Sequence, residues 1–175
     1  MVSGEAMMKT MFYLVVYGFL GYLLERIINL AVLGIWYDNR VLFGPVQPMY
    51  GLGVVMTIGL WSWLKKRPWP PSVNVVFLCL GAIVATMIVE HVSGTLHEHF
   101  YHHVLWDYRH TFPACRQPYT CWVPSGMFGL LAAFTAVAVH PHIVTFSRLI
   151  PRPIRHGVVV LFAIDFMVTY HEVLL

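Results

Sequence analysis

Five apolar runs, at about residues 11–33, 43–64, 73–95, 122–139 and 154–174, leave this chain few ways to fold. Each approaches the roughly 20 residues that carry an α-helix across the hydrocarbon of a bilayer. Lipid offers no hydrogen bonds, so backbone that enters it must satisfy its own N–H and C=O groups, as a helix does within one segment. The expected fold is therefore all-α, a polytopic integral membrane helical bundle of the five spans. Of its 175 residues, 58% are hydrophobic and only 11% are charged. The mean hydropathy is +0.68. A soluble domain needs a charged surface that this chain lacks the residues to build. A single transmembrane domain over residues 1–175 is expected, with no separate soluble one. No A-x-A-like cleavage site follows the first run, so it reads as a retained helix rather than a signal peptide.

Carboxylates inside such runs are the next constraint. Glu25, Glu90 and Asp165 fall within them. A charge at membrane depth is costly and marks a binding site or an ion or proton path by default. Helical spacing gathers polar neighbours around each: Gly18, Tyr22 and Asn29 with Glu25; Thr86, Ser93 and His97 with Glu90; Thr169 and Glu172 with Asp165. Glu25 and Glu90 lie at similar depths and are expected to converge, with Arg40 as the cation, on one polar cavity near the outer leaflet. His91, next to Glu90, could pass protons. The competing reading is structural, with Arg26 or Arg40 pairing a carboxylate to fix helix packing.

The segment Val89–Arg109 concentrates histidines, carboxylates and the run Trp106-Asp107-Tyr108. Glu98, His99, His102 and His103 include pairs four residues apart, a spacing that can present metal ligands on a helix face. A His-rich helix at the headgroup level is the preferred reading. The aromatic run suits the membrane interface, with Asp107 capping a turn or holding Arg109. Upstream, Phe43–Gly53 (FGPVQPMYGLG) holds two prolines and three glycines, which argues for a bent or partly unwound entry to the second span. Three cysteines at unrelated spacings carry no metal-finger or CxxC signal, and Cys115 and Cys121 leave a disulfide open.

Loop charges orient the chain. With five spans, seven basic residues (Lys9, Lys65, Lys66, Arg67, Arg148, Arg152, Arg155) fall on one side and three (Arg40, Arg109, Arg116) on the other. The N-terminus is then cytoplasmic and the C-terminus external. The net charge of +3 lies mostly in these loops, which fits membrane orientation and not a nucleic-acid partner. The two halves also resemble each other: a span bearing a Glu, a polar outside loop, then a Gly-containing re-entry. This suggests a two-fold internal repeat. No nucleophile elbow or Ser/His/Asp order is present, so solute transport or binding is preferred to catalysis. Acid–base chemistry by His and carboxylates, a metal- or lipid-binding module, and a non-transporting accessory scaffold are the alternatives. No motif names a cofactor. Besides the lipid bilayer, a homo-oligomer is a partner to expect, because five short spans enclose little volume.

These motifs together resemble the family of small bacterial membrane proteins catalogued as Putative ABC-transporter type IV. The resemblance rests on Gly21, Tyr22, Leu23 and Glu25, then Asn39 and Arg40, then Phe43, Gly44, Pro45, Pro48, Tyr50 and Gly51. A second block matches at Glu90, Glu98, Trp106, Asp107 and Tyr108, and Asp165 corresponds to an Asp of the last span. It covers about residues 18–165. The chain departs from the pattern at Val41, at His91, and where the stretch with Cys115 and Cys121 replaces an Asn-x-x-Gly element. The resemblance implies a multi-pass permease of the plasma membrane, with those residues, Tyr50 among them, at its binding site. The chain has no G-x-x-x-x-G-K-[ST], so any ATPase would be a separate subunit.

Overall fold

A computed structural model describes residues 4–36, 38, 40–102, 104–111 and 114–171. The fold is all-helical: α1 spans Gly4–Leu33, α2 Pro48–Leu64, α3 Pro71–Tyr101 and α4 the single turn Tyr108–Thr111. Helix α5 spans Trp122–Phe134, α6 His140–Leu149 and α7 Arg152–Thr169. Prolines stand in the first turns of α3 and α7, where a missing N–H removes no helical bond.

Three segments are long and apolar enough to cross a membrane: Gly4–Ala31 (28 residues), Pro71–Tyr101 (31) and Trp122–Leu149 (28). At about 1.5 Å per residue, 28 residues reach about 42 Å, against about 30 Å of hydrocarbon. Helix α3 exposes Val76, Phe77, Leu80, Val84 and Ile88, an outer face suited to lipid rather than water. The chain is a membrane protein. The other two expected spans are helical but differ from these three. Helix α2 has 17 residues, because 41–47 are irregular and the helix starts only at Pro48. Helix α7 has 18 and carries Arg152, Arg155 and Asp165.

One boundary differs from expectation for a clear reason. The helix of the expected fourth span does not stop at Val139, before His140-Pro141-His142, but continues to Leu149. Inside a regular helix the ring of Pro141 would collide with the carbonyl of Val137. A π-helical turn, Thr135–Val139, widens the helix just there, and the His140 N–H donates to the Thr135 carbonyl five residues back. Helix α3 runs past residue 95 to Tyr101, and His102 caps it in the left-handed region (φ 53°) with its N–H on the Glu98 carbonyl.

The chain forms two compact units, Met1–Val55 with Thr145–Leu175, and Met56–Val144. In the first, α1 packs along α7, and Phe12, Val15, Tyr17, Tyr22 and Val159 are buried. In the second, α3 packs on α5, and Leu64, Leu78, Ala82 and Ala133 form the core with Trp61 beside them. Gly129 lets the two backbones touch, since a Cβ there would lie 2.5 Å from the Ile83 Cα. Gly126, one turn earlier, faces open space. Gly129→Ala should therefore lower stability by about 1–3 kcal/mol. Gly126→Ala should be neutral or slightly stabilising through helix propensity. Thermal unfolding in detergent compares them, and equal effects would disprove the close contact.

Candidate functional site

The second unit buries a carboxylate inside an apolar helix. Glu90 of α3 is only 2% exposed. One of its oxygens accepts the Ser125 hydroxyl, and the other accepts the Tyr108 hydroxyl at 2.8 Å. No ion pair reaches Glu90 among the described residues. Two neutral donors hold it.

Both donors come from the segment after α3, which is folded to deliver them. Cys121 is the extended residue capping α5 and is joined to Cys115 by a disulfide. The Ser125 N–H donates to the Cys121 carbonyl at 2.9 Å, and the Cys121 N–H donates to the Ser125 Oγ at 3.3 Å. That reciprocal pair holds the serine in the first turn of α5. Ser125 Oγ thus accepts from one side while donating to Glu90 on the other. The Tyr108 N–H donates to the Pro118 carbonyl at 2.8 Å, tying α4 to the disulfide loop. The Trp106 indole N–H donates to the Tyr119 carbonyl at 3.2 Å, and the two rings meet edge to face.

Tyr119 itself lies against Gly94 of α3 and donates its hydroxyl to Glu98 at 2.5 Å. Burial, then the bond to Glu98, pushes the Tyr119 hydroxyl up to about 12. Asp107 is clasped by Arg109, which gives it a backbone N–H at 2.9 Å and guanidinium donors at 2.5–3.1 Å. Hydrogen bonds from that side chain hold the Asp107 carboxyl well down, at about 2.

The first unit holds its carboxylates differently. Asp165 of α7 accepts the consecutive N–H groups of Phe43 (3.0 Å) and Gly44 (2.8 Å), with the Thr169 hydroxyl at 3.4 Å. A Cβ on residue 44 would sit 2.8 Å from an Asp165 oxygen, so a larger residue would push that carboxylate away from the amides. Arg40 donates to the Phe43 carbonyl at 3.0 Å and clasps Asp38. Glu25, half-buried on α1, accepts the Gln47 amide at 3.5 Å, and the Tyr50 ring rests against Gly21 of α1.

The residues singled out from sequence divide accordingly. Glu90 and Tyr108 meet directly, while Glu98, Trp106 and Asp107 lie on the segment that supports them. Glu25, Arg40, Tyr50 and Asp165 belong to the other unit. Arg40 turns to Asp38 two residues away rather than to Glu25, because a partner in the same short loop costs little chain entropy to hold. Arg26 donates to the Tyr22 hydroxyl and stacks on Trp36 at 4.4 Å. His91 is exposed while its neighbour Glu90 is buried, so the two do not form a pair. Of the metal candidates, Glu98 holds Tyr119, His99 packs on Phe100, His102 caps α3, and His103 lies outside the described residues. Among the described residues no three His, Cys, Asp or Glu side chains are placed to hold a metal. Ser125 and Tyr119 were not singled out, and Phe43 and Gly44 entered only through the family resemblance, with no role for their N–H groups. Ser125 had a signal in the Pro-Ser-Gly start of a span.

Removing one donor from buried Glu90 leaves one of its oxygens without a hydrogen-bond partner. Tyr108→Phe should cost about 1–3 kcal/mol, read as a lower unfolding temperature, and an unchanged temperature would remove Tyr108 from the site. The Asp107 clasp makes a separate expectation. A depressed folded-state pKa stabilises above the unfolded value of about 3.9, and that contribution fades as pH falls through about 2. The carboxyl resonance of Asp107 should therefore stay ionised at pH 4 and move only towards pH 2.

No curated protein and no solved structure matches the chain. A family model does, over residues 12–170, which takes in every site residue discussed above. Its description is Putative ABC-transporter type IV, and with its apolar helices the chain belongs to this transport-related membrane family.

Proposed function

We propose that the protein is a permease-like membrane component that binds and moves a polar or ionic solute, with Glu90 as the residue that meets it. The observation that carries this reading is the Glu90 carboxylate, enclosed in α3 and held by two hydroxyls without a cation among the described residues. A hydroxyl can rotate away when a better donor or a cation arrives, so the pairing is exchangeable in a way an arginine pair is not. That chemistry fits a proton or a small cation. The proposed topology has five spans in the plasma membrane, counting α2 and α7, with the N-terminus cytoplasmic and the C-terminus external. The His-rich end of α3 then faces outward. The family description supports a separate ATPase subunit as the energy source. A homo-oligomer would supply the enclosed volume that five spans alone lack.

The internal repeat is part of this reading. Asp38 and Arg40 reproduce the bonds of Asp107 and Arg109: in each loop the Arg backbone N–H and Nε both reach the Asp two residues before it. Each unit also sets a tyrosine ring against a glycine of its long helix, Tyr50 on Gly21 and Tyr119 on Gly94. A purely structural role is favoured for Asp165, whose oxygens are taken up by backbone N–H groups.

Flux tests the function. Protein in liposomes should pass H⁺, Na⁺ or K⁺ above the rate of empty liposomes, and Glu90→Gln should bring that flux to background. No flux above background, or full flux in Glu90→Gln, would overturn the reading. For the topology, a membrane-impermeant thiol reagent applied to cells after reduction should label Cys115 and Cys121 from outside. Labelling of these two only in inverted vesicles would reverse it.

A further inference from the structure

A second site lies at the opposite end of α7 from Asp165, about 15 Å along the helix from Arg155. The N-terminal ends of α1 and α7 enclose a cavity of about 310 Å³, lined by Glu5, Lys9, Phe12, Arg152, Arg155 and His156 among others. Lys9 and Arg152 share a single oxygen of Glu5, at 3.2 and 3.6 Å. One carboxylate facing three permanent cations leaves two positive charges in excess. Arg155 makes no ion pair among the described residues, and its Nε is buried with no hydrogen-bond acceptor there. A buried guanidinium N–H is costly unless an acceptor reaches it, and the surplus positive charge favours an anion in that place. Phe12, 5% exposed, gives the cavity an apolar wall.

We propose that this cavity binds a phosphate group, that of an anionic phospholipid headgroup. Arg152 and Arg155 grip the phosphate oxygens through their planar forks, and Lys9 adds a point charge. The Phe12 side takes the glycerol and the start of an acyl chain. A lipid source is favoured because the cavity opens at the ends of apolar helices, where headgroups are dense, and because one wall is apolar. This site is separate from Glu90 and does not depend on the transport reading.

Delipidated full-length protein in detergent, titrated with short-chain phosphatidylglycerol and read by native mass spectrometry, tests it. One lipid should bind, more tightly than phosphatidylcholine. Arg155→Gln and, separately, the exposed Arg152→Gln should each weaken binding about tenfold, the loss expected for a charge-assisted bond. Arg155→Lys should fall between, while Lys66→Gln, outside the cavity, should match the unaltered protein. If inorganic phosphate displaces the lipid at equal concentration, the phosphate site stands and its source is the free anion. Equal binding of both lipids, or no loss in either glutamine variant, would overturn the site.

Discussion

A carboxylate buried in an apolar helix must be given hydrogen-bond donors, and the second unit is arranged around that requirement. Glu90 cannot use water, and it meets no arginine among the described residues, so the chain brings two hydroxyls to it. Several features of the described residues between 102 and 125 serve this delivery. The left-handed cap at His102 ends α3 and lets the chain turn back, the Trp106–Tyr119 and Tyr108–Pro118 bonds close the return, and the disulfide secures the start of α5. The Cys121 N–H takes one lone pair of the serine oxygen, and the single hydroxyl proton turns towards Glu90. Loss of the disulfide would act on Glu90 through Ser125, without any contact between cysteine and carboxylate.

The first unit meets the same demand with backbone instead of hydroxyls. Residues 41–47 are not helical, and consecutive N–H groups that a helix would have used internally are left pointing outward at Phe43 and Gly44. Asp165 accepts both. The unwound entry to α2 and the charge in α7 are therefore one feature: each would be costly without the other. Glycine at 44 leaves room for the Asp165 carboxylate, and Arg40 on the Phe43 carbonyl steadies the same turn.

Much of this was legible in the sequence. Apolar runs located the helices, proline and glycine at 43–53 located the irregular entry, and isolated charges located Glu90 and Asp165. Partners were less legible, because a partner distant in sequence leaves no periodic signal. Ser125 is 35 residues from Glu90, and Phe43 is 122 from Asp165. The same gap explains why Arg40 was expected to serve Glu25: sequence shows which cation is available but not that Asp38, in its own turn, claims it first. The helix of the fourth run extends past its expected end for another reason. Pro141 is a helix breaker by composition, and nothing at residues 135–139 announces the π turn that accommodates it.

The acidic residues sort by what holds them, and the sorting bears on which can act. Glu5, Asp38 and Asp107 are neutralised by cations. Asp165 is fixed by backbone donors that cannot leave without refolding the loop. Glu90 and Glu98 have neutral side-chain donors, which can turn to another partner at small cost, and Glu25 accepts the Gln47 amide. Within that last group, exposure decides how strongly an incoming charge is felt. Glu98 is exposed, so water screens it, and Glu25 is half-buried. Glu90 alone combines full burial with exchangeable donors. A partner that displaced the two hydroxyls would there meet the carboxyl in a low-dielectric setting, where electrostatic interactions are strongest.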